Sequence, residues 1–207
     1  TFDLANGQTI NSDNQKEYFE LADSMLFYRT DIQQSQVLWK SLMDYYQLNQ
    51  EENSFIKAKG YYAESFMRMG DSEMAKVISE ELIDQARLMN QPFNVNLAKA
   101  YYLIALYNNN VERDRQKALK TIYDGLDKTT KIPGSKDLSA NTELYYLAAY
   151  EHRMTDDLPD AIKMAELAAK VDVDHRKSSG IYPEWILALA QMSRFEEAQK
   201  RANEYYE

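Results

Sequence analysis

Apolar residues recur along this chain at steps of three and four almost throughout. Leu158, Ala161, Ile162, Ala165, Ala168 and Ala169 fall on one stripe of an α-helix, as do Met74, Ala75, Ile78, Leu82, Ala86 and Met89. No stretch sustains the period-two alternation of a half-buried strand, and no Asn-Gly turn joins two apolar runs. The pattern predicts an all-α chain. Its punctuation marks the helix ends. Ser12 with Gln15, Ser193 with Glu196 and, more loosely, Asp31 with Gln34 have capping-box spacing. Gly70-Asp71 reads as one helix closing and the next being capped. Pro92, Pro133-Gly134, Pro159 and Pro183 mark helix starts or inter-helix turns. These marks predict about ten helices of roughly 12 to 19 residues.

A longer period overlies the helical one. Small residues recur at Ser35, Ala75, Ala118, Ala161 and Ala198, with spacings of 40, 43, 43 and 37. A companion series, Ala22, Ala63, Ala105, Ala149 and Ile186, precedes each by 12 or 13 residues. Four residues before each companion stands Tyr18, Lys59, Tyr101, Tyr145 or Tyr182. Two antiparallel helices approach closely where both present a small side chain, and a large aromatic one turn away fills the wedge beside them. One such pair cannot bury its own apolar face, so the pairs are expected to stack into a solenoid. The expected units are 14–49, 52–90, 93–130, 138–173 and 177–207, forming a single domain over 14–207 behind an N-terminal extension, 1–13.

The stretch from Lys59 to Leu82, with Ala63, Phe66, Gly70, Asp71 and Ala75, resembles the tetratricopeptide repeat (TPR) family, and so does Tyr182 with Ser193, Phe195 and Ala198. The period exceeds that family's usual length of about 34 residues, and Asn108, His152 and Ile186 depart from its pattern. HEAT-like pairs, at about 40 to 47 residues, are the structural competitor. The resemblance implies a right-handed α-solenoid of about five antiparallel helix pairs whose first helices line a concave face. It places Phe19, Gly60, Tyr102, Tyr146 and Pro183 there, then Asp23, Glu64, Leu106, Tyr150 and Leu187 one turn on, then Leu26, Met67, Asn109, Arg153 and Ala190. Tyr102, Asn109, Tyr146, Tyr150 and Arg153 are therefore the candidate partner-binding residues of this face. The Lys/Asn set with which some members clamp a terminal carboxylate is not in the matching slots.

Composition narrows the function. The chain has 207 residues, 24 Lys plus Arg against 33 Asp plus Glu, and a formal charge of −9. That balance repels phosphate backbones and argues against a nucleic-acid partner. Cysteine is absent, which removes disulfides, thiol catalysis and thiolate-bound zinc. The longest apolar runs, Ala100 to Tyr107 and Leu144 to Tyr150, fall far short of the ~20 residues a membrane span needs.

Of the two histidines, His175 in Asp172-Val173-Asp174-His175 reads as a polar loop, and Asp156, Asp157 and Asp160 read as helix-start carboxylates. No phosphate loop, nucleophile elbow or paired-histidine metalloprotease motif is present. No catalytic residue, metal or cofactor is expected. Five Tyr-Tyr pairs, such as Tyr101-Tyr102 and Tyr145-Tyr146, read as one ring packed between helices and one half-covering a neighbour. Lys16, Lys57 and Lys99 read as a solvated helix edge.

The expected function is a non-catalytic interaction module with a protein or peptide partner. Its Tyr-rich, long-period repeats and abrupt ends resemble the repeat regions of bacterial sensor kinases and regulators, implying a fragment of a signalling protein outside the cytoplasm. A small-ligand receptor for a sugar or peptide, and self-association through exposed solenoid ends, are the alternatives.

Overall fold

The computed structural model describes residues 10–131, 138–172 and 178–206. Pro133, Gly134, Val173, Asp174, His175 and Glu207 lie outside them. The described residues form ten α-helices and no strand: α1 (Gln15–Tyr28), α2 (Ile32–Leu48), α3 (Glu52–Arg68), α4 (Ser72–Leu88), α5 (Ala98–Asn110), α6 (Arg115–Thr130), α7 (Thr142–Met154), α8 (Leu158–Val171), α9 (Ser178–Gln191) and α10 (Phe195–Tyr206). Two 3-10 turns, Val95–Leu97 and Ser139–Asn141, lead into α5 and α7.

Each helix packs on the next along the chain, giving five antiparallel pairs in sequence order. Odd helices also pack on the next odd helix, α3 on α5, α5 on α7 and α7 on α9, whereas the even helices have no comparable mutual contacts among the described residues. The stack therefore curves with the odd helices on its inside: an α-solenoid of TPR-like pairs.

The small residues sit where the helices meet. Ala22, Ala63, Ala105, Ser35, Ala75 and Ala118 are fully buried, and Ala149 and Ala161 nearly so. In the first pair the two positions touch, Ser35 Oγ donating to the Ala22 carbonyl oxygen at 2.8 Å. The wedges are filled by large side chains. Trp39 is fully buried, stacked on Tyr61 at 4.8 Å and met edge-on by Phe19. Where the tyrosine series is broken, Lys59 is buried and reaches α4, donating to Gln85 Oε1 at 2.8 Å and lying 3.4 Å from Glu81.

Asp31, Asp71 and Asp114 cap α2, α4 and α6, accepting from the amides of Gln34, Met74 and Lys117 at 2.9–3.0 Å. Gly70 takes φ +88° between α3 and α4. Three sequence expectations need correction. Ser12 caps nothing: α1 begins after Asn14, and Asn11 ties the preceding turn through its own side chain. Ser193 is no N-cap either, because it takes the left-handed turn position (φ +60°) and α10 starts two residues later. Pro183 lies inside α9, not at its start; it stands early in the helix, so it removes only one interior amide donor.

Candidate functional site

Helical spacing sets Lys57, Tyr61, Glu64 and Arg68 on one face of α3. Opposite lie Phe19, Asp23, Leu26 and Phe27 of α1, with Lys99 of α5 and Glu143 of α7 beyond. The two 3-10 turns close one end with Val95, Asn96, Ser139 and Ala140, and the end of α8 adds Val171 and Asp172. Together they enclose a cavity of about 290 Å³. Its closing turns are fixed by buried amides. Asn94 donates to Asn53 Oδ1 at 2.6 Å, and Asn141 accepts from Thr129 Oγ1 at 2.5 Å.

A charge network spans three successive odd helices along this wall. Lys99 Nζ lies 2.8 Å from Glu64 of α3 and pairs with Glu143 of α7. Arg68 reaches the other Glu64 oxygen at 2.5 Å. The Lys99 ammonium also sits over two rings, 5.1 Å from the centroid of Tyr61 and 5.7 Å from that of Tyr102. Burial would lower its pKa, but Glu143, Glu64 and Tyr61 outweigh burial and hold it well above the usual lysine value. Burial pushes the Tyr61 hydroxyl up to about 12; Lys99 opposes this while Asp23, Glu143 and Glu64 add to it. Lys57 is exposed, its ammonium 4.7 Å above Phe19.

The five residues singled out from the sequence lie on α5 and α7, and none of them lines the cavity. Tyr102 is half-buried beside Lys99, its hydroxyl pKa raised by burial and by Glu143. Asn109 donates its amide to Asn110 Oδ1. The structure gathers the other three. Tyr146 packs where a Cβ on Gly180 of α9 would come within 3.2 Å of its ring. The Arg115 and Arg153 guanidiniums both lie over the Tyr150 ring, 5.9 and 5.8 Å from its centroid. Arg153 bonds Glu184 of α9 at 2.6 Å.

Sequence reasoning placed Glu64 and Asp23 on the inner face without singling them out, and read Lys99 as a solvated edge. The signal was the i, i+4, i+7, i+11 run Lys57, Tyr61, Glu64, Arg68, a charged stripe next to an aromatic one. Lys16 is indeed solvated, its side chain 88% exposed, but the Lys99 side chain is only 14% exposed.

On the α7–α8 side, His152, Asp157 and Asp160 bring one ligand atom each within 4.8 Å of one another. Both His152 ring nitrogens are already engaged, by the Tyr123 hydroxyl at 2.7 Å and by Asp157 at 3.0 Å. The residues could hold a cation only by giving up one of these two contacts. Among the described residues no helix is long and apolar enough to cross a membrane.

No protein-family profile matches the chain, and no curated protein matches it. Solved structures do. One is of TPR-like repeats from a Podosopora anserina protein named as a kinesin light chain, a single-residue variant, with a TM-score of 0.59 at 12% identity and 96% of each chain covered. Another, of the same protein without that change, gives 0.58 at 12% identity with 95% of each chain covered. At this identity the likeness is one of fold, and it extends over nearly the whole chain.

Proposed function

We propose that this chain is a non-catalytic interaction module that holds a segment of a partner protein along the inner face of its solenoid. The observation that carries this reading is the cavity of about 290 Å³. It opens among the odd helices of successive pairs and is walled by aromatic rings and by charges already held in place. A preorganised wall loses little side-chain entropy on binding, so contacts made there translate into affinity. The five residues expected on this face would extend the groove along α5 and α7, with the Tyr150 ring beside two guanidiniums. The likeness in fold to solved TPR-like repeats agrees with this use.

Within this reading the module serves a bacterial signalling protein of the sensor-kinase or regulator type, acting outside the cytoplasm. Its support is the Tyr-rich, long-period repeat. Domains of that kind in the parent polypeptide would bear it out, and a parent with no signalling domain would remove it.

The groove itself is tested by filling it. Ala140 is exposed at the cavity wall, so Ala140→Trp plugs the space without disturbing the core. Peptides selected from a random displayed library against the native chain should bind the variant at least about ten-fold more weakly. Equal binding to both would overturn the proposal. The cavity also sits at the lower edge of the ~300–1,000 Å³ common for small-ligand pockets, which keeps a receptor for a sugar or short peptide as the second reading. In that case a small-molecule screen would raise the melting temperature of the native chain and not of Ala140→Trp.

A further inference from the structure

The fourth pair departs from its neighbours at two positions that meet in space. His152 stands three residues after Ala149, where the second pair carries Phe66 after Ala63, so an imidazole replaces an apolar ring between α6 and the start of α8. Asp157 stands at the N-cap of α8, as Asp31, Asp71 and Asp114 do before α2, α4 and α6. Those three cap their helices, whereas Asp157 makes no capping hydrogen bond and lies 3.0 Å from His152 Nδ1 instead. The imidazole is buried, and the Tyr123 hydroxyl of α6 holds its Nε2 at 2.7 Å. Asp160, three residues on, brings a third donor within 4.8 Å of the other two. Among the described residues neither aspartate pairs with a Lys or Arg. Two carboxylates therefore converge on one buried imidazole with no side-chain cation to balance them. Burial first, then Asp160 and Asp157, push the Tyr123 hydroxyl pKa up, so the uncompensated charge is felt at this corner.

We infer that His152, Asp157 and Asp160 form a site for one divalent transition-metal ion of the zinc type, bound through His152 Nδ1 and one oxygen of each aspartate. Nitrogen and oxygen ligands sit about 2.0–2.2 Å from zinc, so two of them lie about 3.0–3.4 Å apart at right or tetrahedral angles. The His152–Asp157 separation already meets this, and the ion takes the place of the proton between Nδ1 and the carboxylate. Asp160 closes in by a side-chain rotation, which its half-exposed position at the helix start allows. The single proton of the neutral ring then resides on Nε2 and is donated to the Tyr123 oxygen, the kind of outer hydrogen bond that orients a metal-bound histidine. An imidazole with two carboxylates suits a zinc-type ion better than Mg²⁺ or Ca²⁺, which favour all-oxygen ligands. None of these residues lines the cavity, so the site does not depend on the interaction-module reading.

Zinc titration of the native chain by calorimetry, in a large excess of Mg²⁺, tests this. One Zn²⁺ per chain is expected, and in NMR spectra the ring signals of His152 should shift as it binds. His152→Phe, which supplies the ring of the second pair, should weaken binding at least about ten-fold. Asp157→Ser should do the same, since it keeps a capping residue before α8 and removes the carboxylate. Asp157 is exposed, so this second variant carries the test even if His152→Phe fails to fold. No saturable binding, binding equally tight in Asp157→Ser, or shifts confined to the other histidine, His175, would mean that His152 and Asp157 form an intrachain pair only, and would overturn the inference.

Discussion

The Lys99 ammonium is the residue on which the inner wall turns. Its partners Glu64 and Glu143 have side chains only 6% and 9% exposed. Lys99→Met would remove the ammonium from buried Glu143 and leave Glu64 with Arg68, which should cost about 3 kcal/mol, read as a lower urea midpoint. Adding Glu143→Gln should recover much of it, because the loss is one of uncompensated charge. The same residues set an alkaline limit. A lysine whose folded pKa lies above its unfolded 10.5 contributes stability fully below that value and loses it as pH rises through the folded one. Tyr46 and Tyr61 act in the same direction: unfolded they ionise near 10, folded at about 12, so the unfolded state is favoured increasingly between those values. Lys59 opposes them, since burial lowers its pKa and its penalty is relieved on the alkaline side. With Lys99, Tyr46 and Tyr61, and Tyr102 raised likewise, against Lys59, the melting temperature should fall from pH 10 upward. A melting temperature that stays flat from pH 9 to 11 would contradict this. The sequence placed Lys99 at a recurring position but not its burial, because burial depends on α3 and α7 closing over α5.

At the scale of elements, the close approach of paired helices was legible in the letters, since only small side chains permit it. Gly125 shows the tolerance. A Cβ there would lie 2.6 Å from the Tyr101 Cβ of α5. Helix propensity alone would make Gly125→Ala favourable by about 1 kcal/mol, but the overlap should cost about 1–3 kcal/mol and force α6 away from α5. A net loss of stability in denaturant titration is expected, and a gain would show that the helices can shift apart freely. Ala118→Leu and Ala161→Leu should lose stability for the same reason. Helix ends were less legible. Asp71 caps as its sequence suggests, whereas Ser193 does not, because a Ser-x-x-Glu pattern cannot reveal that the turn before α10 needs a left-handed residue at that position.

At the scale of the whole molecule, each pair is stabilised mainly by its neighbours, so stability should be graded along the stack. Amide exchange is expected to be slowest in α3 to α8, which have pairs on both sides, and fastest in α1 and α10, where Tyr28, Phe195 and Tyr206 are 69%, 65% and 84% exposed. Uniform protection from end to end would mean a single cooperative core instead. By itself, the sequence determined the helical character, the pairing of helices and the repeat, because helix periodicity and the steric demand for small residues are local and recur with a fixed period. The inner cavity was decided only by the tertiary structure. Its wall joins residues from α1, α3, α5, α7 and the end of α8, and the curvature that brings them together arises from packing between pairs, which no single segment encodes.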